Sequence, residues 1–150
     1  MTKREKLYQL ASDEGVKIYN FHISATKKAM FSLDGNIAEI MLDKQNINTD
    51  FEETMLLAEE MGHYETGSAY FLRDTYNSKM QRINRLKDEY KAKSWEIEYL
   101  LPFDEIQGAI KKTGPDLYQI SDFLNLPIYF LQKAIDFYLS KGLQLGKFDT

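Results

Sequence analysis

The segment Leu56–His63 constrains the fold of this chain more than any other part of the sequence. It reads Leu-Leu-Ala-Glu-Glu-Met-Gly-His. Positions four apart share one face of a helix, so a helix here points Glu59 and His63 at the same place. Glu60 reaches that place from the side. Because carboxylates and imidazoles both bind metals, the segment predicts a helix that presents an ion-binding face to a neighbouring element.

The pattern in this segment is E-E-x-x-H, which differs by one residue from the H-E-x-x-H motif of zinc peptidases. In that motif two histidines one turn apart bind zinc, and the glutamate between them activates water. Here Glu59 takes the place of the first histidine, Glu60 that of the catalytic glutamate, and His63 that of the second histidine. Carboxylate oxygens bind zinc at about 2.0–2.2 Å, so Glu59 is an acceptable ligand.

A catalytic metal needs a third protein ligand and an open position for water. Glu89 is the candidate, because it follows His63 with room for a loop and the start of a second helix. We therefore predict Glu59, His63 and Glu89 as metal ligands and Glu60 as the base that takes a proton from the attacking water. Two carboxylates make a harder donor set than two histidines, so Mn²⁺ or Fe²⁺ could compete with Zn²⁺.

The segment from 89 to 102 resembles the ImmA/IrrE family of metallopeptidases. The family has a pattern like E-x-x-A-N-x-F-A-x-x-L-L-x-P on the helix after its metal-binding helix. Without a gap, this pattern places its Glu, Ala, aromatic and Pro on Glu89, Ala92, Trp95 and Pro102. Lys93 replaces the usual Asn, and Glu96 replaces the usual Ala.

This resemblance implies an α+β, zincin-like fold in a single domain covering residues 1–150. The expected parts are an N-terminal helix, a small antiparallel sheet, two active-site helices and a helical tail, about 116–150, packed on the rest. The implied function is that of an intracellular zinc peptidase of phages and mobile elements, which cleaves or inactivates a transcriptional repressor. The alternative is an antirepressor-type binding protein of the same fold, with metal binding weakened or lost through Glu59.

Local patterns along the chain predict the order of its helices and strands. Thr49 and Glu52 have the spacing of a capping box, so the metal-binding helix should begin near Asp50. Asp34-Gly35 predicts a hairpin. The expected elements are a helix at 3–13, strands near 16–21, 29–33 and 37–42, the helix from 50, a loop at about 66–77, helices at 78–101 and 104–112, and two short tail helices separated at 126–127.

Composition excludes several classes of site and partner. The 150 residues contain no cysteine, so disulfides and thiolate metal sites are excluded, and the chain suits a reducing cytoplasm. A net charge of -4 disfavours direct binding to nucleic acid. A charged N-terminus without an apolar signal core, and the lack of a run long enough to span a bilayer, predict a cytoplasmic protein with no membrane partner.

Two further features have structural interpretations. His22, the other histidine, lies in a predicted sheet segment and is expected to be structural. The tail has the pattern of two short helices joined by a turn, as in a helix-turn-helix, but its second helix would begin with Ile128-Tyr129-Phe130-Leu131. A helix that reads DNA places Arg, Lys, Asn or Gln there, so we expect this helix to pack against the peptidase core or against a partner protein.

Overall fold

The fold is described from a computed structural model, which covers residues 1–67 and 79–145, without the side chains of residues 80 and 81. The described residues form six α-helices and one three-stranded sheet, which confirms the α+β class. Most of the expected loop at 66–77 lies outside the described residues. In chain order the elements are α1 Lys3–Asp13, β1 Lys17–Asn20, β2 Ala29–Asp34, β3 Ile37–Leu42, a short 3-10 turn Lys44–Asn46, α2 Asp50–Glu65, α3 Lys79–Leu100, α4 Phe103–Thr113, α5 Leu117–Leu124 and α6 Ile128–Ser140.

The chain forms two compact units, Met1–Glu96 and Ile97–Thr150. The first contains α1, the sheet, α2 and most of α3, and the second contains the last residues of α3 and helices α4 to α6. The zincin-like topology and the packing of a tail onto a single domain stay predictions. Within the described ranges, no helix combines the length and the apolar character needed to cross a membrane.

The start of α2 follows from its capping residue, as the sequence predicts. The Thr49 hydroxyl accepts a hydrogen bond from the backbone N–H of Glu52 at 3.0 Å, which satisfies a donor that has no partner within the helix. The Glu52 side chain does not complete the capping box. It lies instead 2.8 Å from the ammonium of Lys28, at the residue before β2. This contact joins the first turn of α2 to the sheet.

The sheet is mixed, whereas the sequence predicted an antiparallel one. The hairpin at Gly35, where φ is 60°, pairs β2 antiparallel to β3 as expected. β1 pairs with the other edge of β3, and the two strands are parallel. Asn20 at the end of β1 and Ala29 at the start of β2 both lie opposite Leu42. The connection 21–28 therefore passes the end of β3. Its length lets β1 and β2, which follow each other in the chain, pair with opposite edges of β3.

The buried face of α2 differs in part from the expected one. The helical spacing of Phe51, Met55, Ala58 and Gly62 in the sequence favours these four as core positions. The buried residues of α2 are Thr54, Leu57, Ala58, Met61, Gly62 and His63. Phe51 and Met55 are half-buried. The first unit buries α2 against a core that includes Leu7, Ala11, Val16, Ala38, Ile40 and Leu42. This burial holds the second half of α2, which carries the candidate ligands, in one orientation.

The second unit has its own apolar core and one buried hydrogen bond. The hydroxyl of Tyr138 donates to the backbone carbonyl of Leu101 at 2.7 Å, and its ring contacts those of Phe103 and Phe137 edge to face. The tail helices separate where the sequence predicts, because Asn125 ends α5 in the left-handed conformation at φ 54°. Buried side chains of this unit include Ile106, Ala109, Ile120, Phe130, Leu131 and Ala134.

Candidate metal centre

The candidate centre lies beside a close approach of α2 and α3. A Cβ built on Gly62 would lie 2.5 Å from the backbone oxygen of Ala92, a separation that real Cβ atoms essentially never show. Only glycine permits this approach without a shift of one helix. It brings His63, the next residue of α2, up to the turn of α3 that begins at Glu89.

The three ligands predicted from the sequence come together at this point. Each of Glu59, His63 and Glu89 offers one ligand atom, and these atoms all lie within 4.8 Å of one another. His63 is buried, with 6% exposure, and its Nε2 lies 3.9 Å from Oε2 of Glu89. The side chains of Glu59 and Glu89 are 25% and 32% exposed. The two carboxylates therefore form the open side of the cluster, and the imidazole forms its closed side.

The donor set fits a divalent metal ion. In a tetrahedral site with bonds of about 2.0–2.2 Å, ligand atoms lie about 3.4 Å apart. The separations among the three ligand atoms are at most 4.8 Å. Small rotations about the side-chain bonds of the two glutamates would close this difference, because both are partly exposed and have room to move. His63 is held by its burial and would need to move least.

Glu60 lies beside this cluster in an environment rich in negative charge. Burial and, after it, the charge of Glu59 raise the pKa of its carboxyl to about 8. The ammonium of Lys27 opposes this shift, while Glu89 and Glu96 add to it. Carboxylates so close together repel one another, and a bound cation would relieve that repulsion. The electrostatics of the cluster therefore favour a positively charged ligand.

Glu96 is a fully buried carboxyl that the sequence did not identify as part of the cluster. Its exposure is 0%, and its charge acts on the pKa of Glu60. It stands seven residues after Glu89 on α3, so the two share a helical face. That spacing is the signal that could have identified it. The sequence comparison had marked the residue only as a departure from the usual Ala.

Lys93 contacts one of the candidate ligands. Its Nζ lies 3.6 Å from Oε1 of Glu59, and its side chain is 46% exposed. It stands four residues after Glu89, again on the same face of α3. The sequence showed that Lys93 replaces an Asn, but not that its partner is Glu59. The sequence could have indicated that Lys93 lies near the cluster, because a residue four positions after Glu89 lies on the same face of the helix.

His22 lies outside this cluster and has a carboxylate partner of its own. Its Nδ1 is 2.6 Å from Oδ2 of Asp43, which also accepts a hydrogen bond from Nδ2 of Asn46 at 2.7 Å. Hydrogen bonds from Asn46 and His22 hold the pKa of the buried Asp43 carboxyl below its usual range. The pair links the residues that follow β1 and β3, which supports the structural role expected for His22.

No model of a known protein family matches this sequence, and no curated protein matches it either. The resemblance to the ImmA/IrrE family therefore rests only on the residues quoted for it. The functional argument rests on the side chains that α2 and α3 bring together.

Proposed function

We propose that this protein is a cytoplasmic metal-dependent peptidase with a zincin-like fold. The observation that supports the proposal is the convergence of Glu59, His63 and Glu89 on one point beside Glu60. Three protein ligands with an open side is the arrangement of catalytic metal sites, whereas structural zinc sites use four protein ligands. The partial exposure of both glutamate ligands leaves access for water and substrate.

The charges around the cluster favour a divalent ion. Four carboxyl groups surround the site and only two ammonium groups offset them. Burial and this surplus raise the pKa of Glu60 to about 8, and a bound cation would lower that pKa and favour the ionised carboxylate that a base requires. The carboxylates belong to Glu59, Glu60, Glu89 and Glu96, and the ammonium groups to Lys27 and Lys93. Zinc is our first choice because of the imidazole of His63, and the two carboxylate ligands also suit Mn²⁺ or Fe²⁺.

The proposed reaction is hydrolysis of a peptide bond. A divalent ion in this position would supply a Lewis acid that acidifies water and polarises the peptide carbonyl. Glu60 accepts a proton from the attacking water and delivers it to the amine that leaves. Glu59 and His63 from α2 and Glu89 from α3 would hold the ion. The substrate enters from the side on which the two carboxylates are exposed.

The proposed substrate is a protein, namely a transcriptional repressor encoded by the same phage or mobile element. This part of the proposal rests on the resemblance of residues 89–102 to the ImmA/IrrE family. It includes no direct contact with nucleic acid and no membrane partner. The net charge of -4 agrees with a partner other than nucleic acid.

The test is the substitution Glu60→Gln, which keeps size, shape and all three ligands but removes the base. We expect the variant to bind zinc like the wild type and to cleave about 10²–10⁴-fold more slowly, the usual worth of general acid–base catalysis. The assay mixes zinc-loaded protein with the repressor encoded beside its gene and follows the repressor's length on a gel. Glu105→Gln, an exposed position of α4, is the matched control and should cleave normally.

A second candidate function is repressor binding without hydrolysis. The contact of Lys93 with Glu59 favours it, because this ammonium offsets part of the repulsion among the carboxylates without a metal ion. A reporter gene under the repressor separates the two functions. If Glu60→Gln relieves repression fully and the repressor stays intact, binding is the function and hydrolysis is rejected.

A further inference from the structure

Lys93 holds a candidate ligand in an ion pair. Its ammonium lies 3.6 Å from Oε1 of Glu59, one of the three groups that would bind the metal. We propose that Lys93 is a built-in counter-ion, which competes with the divalent ion for Glu59 and thereby sets the metal affinity of the centre. The inference rests on the proposed metal centre and adds a device that regulates its occupancy.

The competition follows from the geometry of the cluster. The ligand atom of Glu59 must lie about 2.0–2.2 Å from a bound zinc ion. An ammonium in contact with the same carboxylate would then stand within a few ångströms of the ion, and the two positive charges would repel each other. Metal binding therefore requires the Lys93 ammonium to move away from Glu59, and the lost ion pair weakens the net binding.

The side chain of Lys93 is able to make that move. It is 46% exposed, and it carries its charge at the end of a flexible stem of four carbons. The backbone of Lys93 stays in place, because α3 packs tightly at Ala92, where Gly62 of α2 meets it. The displaced ammonium would therefore remain at the exposed side of the centre and return to Glu59 when the metal leaves.

This competition has two consequences for the centre. Without metal, the ammonium offsets part of the repulsion among the carboxylates of Glu59, Glu60 and Glu89, so the empty cluster is less costly to keep folded. With metal, the same charge opposes binding. Lys93 thus raises the metal concentration at which the centre fills, and the activity proposed above would depend on metal supply.

The first experiment measures zinc affinity by competition with a chromophoric chelator. Lys93→Gln and Lys93→Met both remove the charge, and the methionine keeps much of the apolar stem. We expect both to bind Zn²⁺ about tenfold more tightly than the wild type, a modest factor because solvent screens a half-exposed ammonium. Lys93→Arg keeps the charge and should bind within a few-fold of the wild type.

Lys91→Gln is the matched control. Lys91 is exposed on the same helix, and its substitution removes the same charge from a position that does not face Glu59. It should leave the zinc affinity within about twofold of the wild type, because salt screens charges on the exposed surface. Equal tightening by Lys91→Gln and Lys93→Gln would show a general effect of net charge and overturn the proposal.

A second experiment measures melting temperature with and without zinc. Metal-free Lys93→Gln should melt at or slightly below the wild type, because an ion pair is lost. The zinc-loaded variant should melt above the zinc-loaded wild type, because its metal is bound more tightly. A lysine that only supports the fold would lower both melting temperatures, which would contradict the competition.

The outcomes separate this inference from the function on which it rests. Zinc binding of equal strength in the wild type and both uncharged variants would overturn the role of Lys93 and leave the metal centre intact. Zinc binding by the uncharged variants alone would support the competition in its strongest form. Failure of every variant to bind zinc, with all of them folded, would overturn the metal centre and the role of Lys93 together.

Discussion

Two glutamates at the ends of neighbouring helices make the first unit sensitive to pH. Glu65 is the last residue of α2, and Glu14 caps the end of α1. Burial, a hydrogen bond to Glu14 and the negative charge of Glu14 together raise the pKa of the Glu65 carboxyl to about 7, and burial contributes most. Two carboxyl groups hydrogen-bond to each other only when one of them carries a proton.

We expect Glu65→Gln to stabilise the metal-free protein at pH 8 but not at pH 5. The folded pKa of Glu65 lies above the value of about 4.3 for an unfolded chain. The pair therefore contributes its full stability below about pH 4.3 and loses it as the pH rises through about 7. A glutamine cannot ionise, so the variant keeps its hydrogen bond at high pH.

The measurement is thermal unfolding of both proteins at the two pH values. The difference in melting temperature between the variant and the wild type should be about 1–3 °C more favourable to the variant at pH 8 than at pH 5. The effect is small because solvent screens a partly exposed pair. Glu14→Gln removes the other carboxyl and should behave alike. A difference that is the same at pH 5 and pH 8 would mean that Glu65 titrates normally.

Among single residues, those related by helical spacing could be predicted from the sequence. Glu59 and His63 are one turn apart, so the spacing itself assigns them to one face. Glu89 was identified from its distance along the chain after His63 and from the resemblance of the segment 89–102, because no local spacing relates it to His63. The contact between Lys93 and Glu59 could not be predicted, since it depends on how α2 and α3 cross.

At the scale of elements, the crossing of α2 and α3 depends on a glycine. We expect Gly62→Ala to destabilise the protein by about 1–3 kcal/mol, the usual cost of overpacking, because its Cβ would lie 2.5 Å from a backbone oxygen that cannot rotate away. The shift would also separate His63 from Glu89. Zinc affinity should therefore fall in the same variant.

Gly108→Ala is the control for this substitution. Gly108 lies within α4, and a Cβ there meets nothing within 4 Å. Alanine should stabilise that helix by about 0.5–1 kcal/mol, because glycine is the poorer helix former. Urea unfolding of the two variants gives both values. Destabilisation of equal size in both would show that the close approach at Gly62 has no special cost.

Element boundaries were predictable where a local signal defines them. The α2 helix begins where Thr49 caps it, and β2 and β3 meet at the Asp34-Gly35 hairpin. The position of β1 was not predictable from such signals. Its parallel pairing to β3 depends on where the connection 21–28 passes, and no residue in that connection specifies an edge of the sheet.

At the scale of the whole molecule, every residue of the proposed centre belongs to the first unit. A ligand that binds only the folded state stabilises it by about 2.7 kcal/mol at a hundred times its dissociation constant. We expect zinc to slow amide hydrogen exchange in α1, the sheet and α2 more than in α4 to α6. The factor by which zinc slows amide exchange should be at least ten times larger in the first region than in the second.

Hydrogen exchange followed by mass spectrometry, with and without zinc, tests this expectation. His63→Ala provides the control, because loss of the buried ligand should remove the added protection from both units. Equal protection of the two units in the wild type would show that they unfold as one body. The division into units had no signal in the sequence, since it falls inside the continuous helix α3.

The glycine at the crossing of α2 and α3 also limits how this protein can change by mutation. Every nucleotide substitution that alters the residue at position 62 introduces a Cβ, because glycine alone lacks one. No single mutation at Gly62 can therefore change the separation of the two helices by a small amount. The charged residues of the centre can be replaced in many ways by single mutations, since other polar residues substitute for glutamate and lysine at little steric cost. Variation of the centre is thus confined to its chemistry, while its dimensions stay constant.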